Sequence, residues 1–286
     1  MKRKPKWIVI CVIISIIIAA AVLYYNSHFL YILGENFGVN CEKIEVGTAN
    51  PDNITQFTLD ELNANEKVRF DQSMMLINTE FTLESDFVPA VSQYKDTEVQ
   101  MNDCMHEAYD QLSAAVTKDT GKKLLVISDY RTQEEQEDKY QDDSSTATKP
   151  GASEHQSGLA LDVCVQYYAG YGFLKTDAGQ FVNSNSWKYG FIIRYPSYGK
   201  NETGIKYEPW HIRYVGEPHA KIIYNNHLTM EEYITSLEDG VWYEVDEYLI
   251  SRQKLSDKNT LSLPAQYSGV VISPDNTGSY VITVTK

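Results

Sequence analysis

GASEHQSGLALD, residues 151–162, places His155 and Asp162 seven positions apart around a Ser-Gly step. A turn-forming loop ends at His155, and LALDVCV, 159–165, continues as a strand whose period-2 alternation sets Asp162 and Cys164 on one face. A lone His and a lone Asp mean little, so the flanking sequence decides whether they belong to a site. Upstream, KLLVIS, 123–128, reads as a strand. It runs through DYRT to a capping box, Thr132 with Glu135, so a helix begins just after Arg131. Downstream, a helix is expected to about Tyr189, stopped by Gly190, followed by the strands GFIIRY and YEPWHIRYV, 207–215.

Further out, Met101, Met105, Ala108, Leu112 and Val116 recur at helical spacing up to Gly121. Thr229 with Glu232 opens another helix, expected to end near Gly240. DDSSTATKPG, 142–151, reads as a mobile loop, and GVVISPDNTGSYVITVTK, ending at 286, as a hairpin around DNTG. The expected fold class is α+β: a small antiparallel sheet packed with helices, followed by a short β appendage. The expected divisions are a tail at 1–6, an anchor at 7–25, a stalk at 26–65 with one short helix near TLDELNAN, the main domain at 66–240 and the appendage at 241–286.

The anchor expectation rests on WIVICVIISIIIAAAVLYY, 7–25, which is uncharged and follows the basic MKRKPK. Nineteen residues at ~1.5 Å each rise ~28 Å, about one hydrocarbon core. Lys2, Arg3, Lys4 and Lys6 would face the cytoplasm, giving a single-pass membrane protein with its domain outside. Ala19 to Ala21 offer the alternative of a cleaved signal peptide. The chain has 25 basic and 39 acidic residues, net −14, a balance that excludes nucleic acid as a partner because binding it depends on neutralising phosphates. Cys41, Cys104 and Cys164, besides Cys11 in the apolar run, form neither an even framework nor a CxxC pair.

A catalytic zinc takes three protein ligands and keeps one open position. His155, Asp162 and His211 offer such a set. Glu208, three residues before His211, is placed to act as general base toward a metal-activated water. Arg131 lies at a strand-to-helix turn, where side chains reach into clefts.

SEHQSGLALD at 153–162 and EPWH at 208–211 resemble the two signatures of VanY-type D-alanyl-D-alanine carboxypeptidases, members of the LAS group of zinc peptidases. The resemblance continues through MLINTEF at 75–81, LLVISDYRTQEEQ at 124–136, WKYGFIIRYP at 187–196 and TGIKYEPWHIRYVGEPH at 203–219, covering about 70–240. It implies a LAS/hedgehog-like fold with one Zn2+ ion held by His155, Asp162 and His211, Glu208 as base and Arg131 steadying the oxyanion. The family more often has Gly or Ser-Gly before that Tyr-Arg; here Ser128-Asp129 stands there, an acid that could pair with Arg131.

Ser153, Gln136 and Trp210 are candidate substrate contacts. Against each stands a plain role: loop shaping for Ser153, a solvated helix face for Gln136, core for Trp210. His219 is expected at a helix start. The implied activity is release of the terminal D-Ala from peptidoglycan precursor stem peptides, in glycopeptide resistance or wall trimming. An L,D-carboxypeptidase or wall endopeptidase, and a non-catalytic zinc-containing binding or signalling module, are the alternatives.

Overall fold

The computed structural model describes residues 6–25, 27–39, 41–144 and 147–286, and the side chains within these apart from 6, 20, 23–25 and 27. The chain divides into two units, Met1–Asn40 and Cys41–Lys286.

The first unit holds α1 (Lys6–Tyr25) and α2 (Ser27–Asn36). Among the described residues no helix is long and apolar enough to cross a membrane. This overturns the single-pass anchor at 7–25 and the membrane localisation drawn from it. The basic tail lies outside the described residues, Lys6 excepted, whose backbone opens α1.

In the second unit, β1 (Gly47–Ala49), β2 (Thr55–Thr58), α3 (Leu59–Asn63) and β3 (Val68–Phe70) lead to β4 (Val91–Gln93), β5 (Gln100–Asn102) and α4 (His106–Thr120). Next come β6 (Leu125–Ser128), α5 (Gln133–Asp142), β7 (Ala160–Cys164), α6 (Asp177–Asn185), β8 (Phe191–Ile193), α7 (Lys200–Thr203) and β9 (His211–Tyr214). The helices α8 (His219–Asn225) and α9 (Met230–Ser236) precede the strands β10 (Trp242–Val245), β11 (Tyr248–Gln253), β12 (Thr260–Leu263), β13 (Gly269–Pro274) and β14 (Tyr280–Thr285). The fold is α+β. Residues 145 and 146, in the loop expected to be mobile, lie outside the described residues.

Local chemistry sets several helix starts. Thr58 with Glu61, Thr132 with Glu135 and Thr229 with Glu232 all form reciprocal capping boxes, each satisfying backbone N–H groups that the first turn leaves free. The helix expected up to Tyr189 is instead three pieces: a 3-10 segment at Gly170–Lys175, α6 and another 3-10 segment at Ser186–Tyr189. The break comes at Thr176, whose side chain caps Gly179 N–H and restarts the helix. Helix α9 ends at Ser236, short of Gly240, where Leu237 turns extended and buries in the core.

The site is carried by an antiparallel sheet of order β6-β7-β9-β8. Met101, Met105, Leu112 and Val116 pack with Leu161, Val163, Phe191 and Ile212 as the core against it. A second sheet, β1-β10-β11-β14-β13-β3, is antiparallel except for its β13–β3 pair. β1 and β3 join it from the amino-terminal side, and β2 pairs with β12. Val281 and Ile250 of this second sheet share a core with Ile222, Ile223, Tyr233 and Ile234 of α8 and α9.

Candidate active site

The loop 153–158 is held tightly. Gly158 has φ +69, and a Cβ there would meet Val91 Cγ2 at 2.5 Å and Asn102 N at 3.0 Å, so only glycine fits. Asn102 N–H donates to the Gly158 carbonyl and its side chain to the Ser157 carbonyl. Within that loop a 3-10 turn, Glu154–Ser157, carries His155.

The His155 Nδ1–H donates to the Asp129 carbonyl at 2.8 Å, which turns Nε2 toward Asp162 Oδ2, 3.6 Å away. Asp162 stands in the middle of β7, opposite Ser128 of β6 and His211 of β9. His211 Nδ1 lies 2.9 Å from Asp162 Oδ1, and the two imidazole rings are perpendicular, 5.1 Å apart. One ligand atom from each of His155, Asp162 and His211 falls within 4.8 Å of the others, a group that could hold a metal ion. Donors ~2.0–2.2 Å from a shared tetrahedral zinc sit ~3.4 Å from each other, so the 3.6 Å separation, too long for a hydrogen bond, suits a common ion. The donor set fits the metal.

Electrostatics around the three differ. Burial lowers His155, outweighing Asp162. Burial also opposes the ionisation of Asp162, but the neighbouring imidazoles of His155 and His211 hold its carboxyl well below the usual range. For His211, burial is outweighed by Asp162 and Glu154, which push it up to about 9 without an ion present. Glu208 Oε2 lies 3.9 Å from His211 Nδ1, and burial raises its carboxyl above the ordinary value, with Asp162 adding to that and His211 and Lys139 opposing it. The turn bearing Glu208 is pinned by its N–H to the Tyr195 carbonyl and by Asn183 Nδ2 to the Pro209 carbonyl.

Arg131 follows β6, and its backbone N–H donates to the His155 carbonyl. Its guanidinium donates to Gln136 Oε1 at 2.6 Å and Ser128 Oγ at 2.8 Å. Asp129 does not take it: that carboxylate accepts from Gln100 N–H at 2.7 Å. Gln136 is 1% exposed, with its Nε2 donating to the Thr148 carbonyl. It is therefore not on a solvated helix face but braces Arg131. Ser153 is buried and makes no capping bond. Trp210 is half-buried at the edge of the core, its ring edge-on to Tyr171 at 5.1 Å. His219 does begin a helix; it is buried away from the cluster, bonded to Tyr233 and Thr283.

Beneath His211 lies a charge network not foreseen from sequence. Glu154 is completely buried. Its Oε1 accepts from Arg194 Nε at 2.7 Å and Arg213 Nη1 at 2.5 Å, and its Oε2 is 3.6 Å from His211 Nε2. Arg194 also holds Glu231 through both terminal nitrogens. Burial opposes ionisation of Glu154, yet the two guanidiniums keep it far below the usual carboxylate range. The signal was available for Arg213: period-2 alternation along HIRY puts it on the face of His211, and a cation facing inward needs an anion. For Glu154 only its place beside His155 pointed inward. Lys139, one turn beyond Gln136, was also passed over, although it is electrostatically coupled to Arg131, Asp162 and Glu208.

Three potential metal donors on a small antiparallel sheet, with a raised carboxyl and an arginine beside them, form a group suited to hydrolytic chemistry. Residues 98–217 match the family model described as VanY: D-alanyl-D-alanine carboxypeptidase. A bifunctional D-Ala-D-Ala dipeptidase and D-Ala-D-Ala carboxypeptidase, VanXYC of Enterococcus gallinarum, is 32% identical over 56% of this chain and 93% of its own. A D-alanyl-D-alanine carboxypeptidase of Enterococcus faecium is 28% identical over 87% of this chain and 86% of its own. Among solved structures, the LdcB LD-carboxypeptidase superposes with TM-score 0.52 at 31% identity, covering 57% of this chain and 86% of that one. The chain belongs to the VanY family of carboxypeptidases.

Proposed function

We propose that the chain is a zinc-dependent D,D-carboxypeptidase that removes the terminal D-Ala from D-Ala-D-Ala-ended peptidoglycan precursors. The observation that carries this reading is the convergence of His155, Asp162 and His211 within 4.8 Å, with the Glu208 carboxyl 3.9 Å from His211. His155 through Nε2, Asp162 and His211 through Nδ1 would hold the ion; zinc supplies Lewis acidity, lowering the pKa of a water molecule to ~7 and polarising the scissile carbonyl.

The protein's own groups do the rest. Glu208, its affinity for a proton raised by burial, accepts the proton of the attacking water and returns it to the departing D-Ala amine. Arg131, braced by Gln136 and Ser128, offers fixed positive charge to the oxyanion that develops on the carbonyl. The Asp129 carbonyl fixes the tautomer of His155, and the buried Glu154 carboxylate, 3.6 Å from Nε2 of His211, favours a proton on that nitrogen electrostatically. Loss of the D-Ala-D-Ala terminus removes what glycopeptide antibiotics bind, so resistance and wall trimming are roles of one chemistry.

The likeness to LdcB favours a second reading, L,D cleavage of tetrapeptide ends. Incubation of the zinc-loaded protein with pentapeptide- and tetrapeptide-ended precursors separates the two. D-Ala from the pentapeptide, abolished by a chelator and restored by zinc, is the expected result; release from the tetrapeptide alone would move the assignment to L,D cleavage. Ligand binding without any turnover would leave a non-catalytic module.

A further inference from the structure

Residues 163–174, VCVQYYAGYGFL, carry no charge in a chain of net charge −14, and three of their aromatic rings face outward. Tyr167 is 90% exposed, Tyr171 53% and Tyr168 48%. Tyr167 holds φ +71, a conformation unfavourable for a bulky side chain, and its one polar contact is from Gln166 Nε2 at 3.3 Å. The fold thus presents a large ring to water at a cost in backbone energy and without packing in return. Tyr171 is firmly seated: its hydroxyl donates to the Tyr207 carbonyl at 2.9 Å and its ring meets Trp210. Tyr207 and Trp210 bracket Glu208, so the aromatic rim is continuous with the cleft.

The strand register gives the rim a direction. At mid-strand Ser128, Asp162 and His211 face one another. Toward the Ala160 end lie His155 and, hydrogen-bonded to it, Arg131. Toward the Cys164 end, Val163 N–H donates to the Trp210 carbonyl and the chain runs into Tyr167–Tyr171. A peptide whose departing D-Ala lies on the Arg131 side directs its remaining residues to the tyrosines. In a pentapeptide stem four residues stand on the acyl side of the scissile bond, at most ~14 Å when extended. Tyr167 is five residues beyond Asp162, at most ~18 Å along the chain and less because the Val165–Tyr168 bridge folds it back. The rim is within reach of the sugar that bears the stem.

We propose that Tyr167, Tyr168 and Tyr171 form a carbohydrate subsite that takes a neutral N-acetylated hexosamine of the glycan to which the substrate peptide is attached. This rests on the carboxypeptidase reading above. Exposed tyrosine rings offer an apolar face to the C–H face of a pyranose and a hydroxyl to its polar edge. The absence of nearby cation in the stretch suits an uncharged ligand, and an exposed apolar patch beside a cleft marks an interaction surface.

The test compares kcat/KM of the full chain, zinc-loaded, on a disaccharide-pentapeptide and on the free pentapeptide, alongside binding of stem-free glycan by calorimetry. The sugar-bearing substrate is expected to be favoured about tenfold. Tyr167→Ala with Tyr168→Ala should bring the ratio near one and abolish glycan binding, leaving free pentapeptide turnover unchanged, while Tyr167→Phe keeps the preference. Equal use of both substrates by the unaltered chain, with no glycan binding, overturns the subsite. So does a dimer that dissociates in the Tyr167→Ala variant, which would assign the rim to a second copy. Glycan binding without D-Ala release from either substrate would overturn the carboxypeptidase reading and leave the subsite standing.

Discussion

Replacing Glu154 by Gln separates the charge of the buried carboxylate from its shape. Arg194 keeps Glu231 through two hydrogen bonds. Arg213, completely buried, loses its one anion and retains only neutral acceptors, the carbonyls of Tyr214, Ser73 and Met75. Stranding one member of a buried ion pair costs ~3–5 kcal/mol, a large share of the ~5–15 kcal/mol typical of a whole domain. At ~2–4 °C per kcal/mol for a unit of this size, the midpoint should fall by ~6–20 °C. Thermal and urea melts of the metal-free protein measure this. Arg213→Met and the double variant complete a cycle whose coupling should exceed ~2 kcal/mol. Because Glu154 also faces Nε2 of His211, zinc affinity by chelator competition should drop ~10–100-fold. A loss below ~1 kcal/mol, or zinc binding indifferent to the change, would refute the reasoning.

Glu208→Gln should reduce turnover ~10²–10⁴-fold while zinc stoichiometry and melting stay as they were; wild-type rates would remove it as the base. Arg131→Ala should lower kcat ~10²–10³-fold, and an unaltered rate would mean its guanidinium serves only Gln136 and Ser128. His219 is lowered by burial from 6.5 to about 3. The unfolded chain therefore takes up a proton below pH 6.5 that folded His219 refuses until about 3. Its contribution is complete above pH 6.5 and lost as pH falls to about 3, at up to ~1.4 kcal/mol per pH unit. His219→Gln should flatten denaturation midpoints measured across that window, and an unchanged slope would sink the assignment.

The legible part of this protein was local. Capping boxes at Thr132 and Thr229, the period-2 run around Asp162 and the spacing of Glu208 to His211 follow from interactions between near neighbours, so sequence alone determined them. His155, Asp162 and His211 each have a plain explanation alone; the paired motifs around them singled them out as candidate donors, and the fold brings them within 4.8 Å.

The tertiary structure decided what depends on distant pairings. β1 and β3 enter a sheet with strands some two hundred residues away, which no local pattern encodes. Gln136 looked solvated on its helix and is buried because Arg131 and the Thr148 carbonyl converge on its amide. Glu154 has no near neighbour in sequence to neutralise it; Arg213 of β9 and Arg194, just past β8, do so in the fold. Burial of a charge is stable only when its partner is brought from elsewhere in the chain. That partner is a property of the fold, which is why the donor set could be read in order along the sequence and the network beneath it could not.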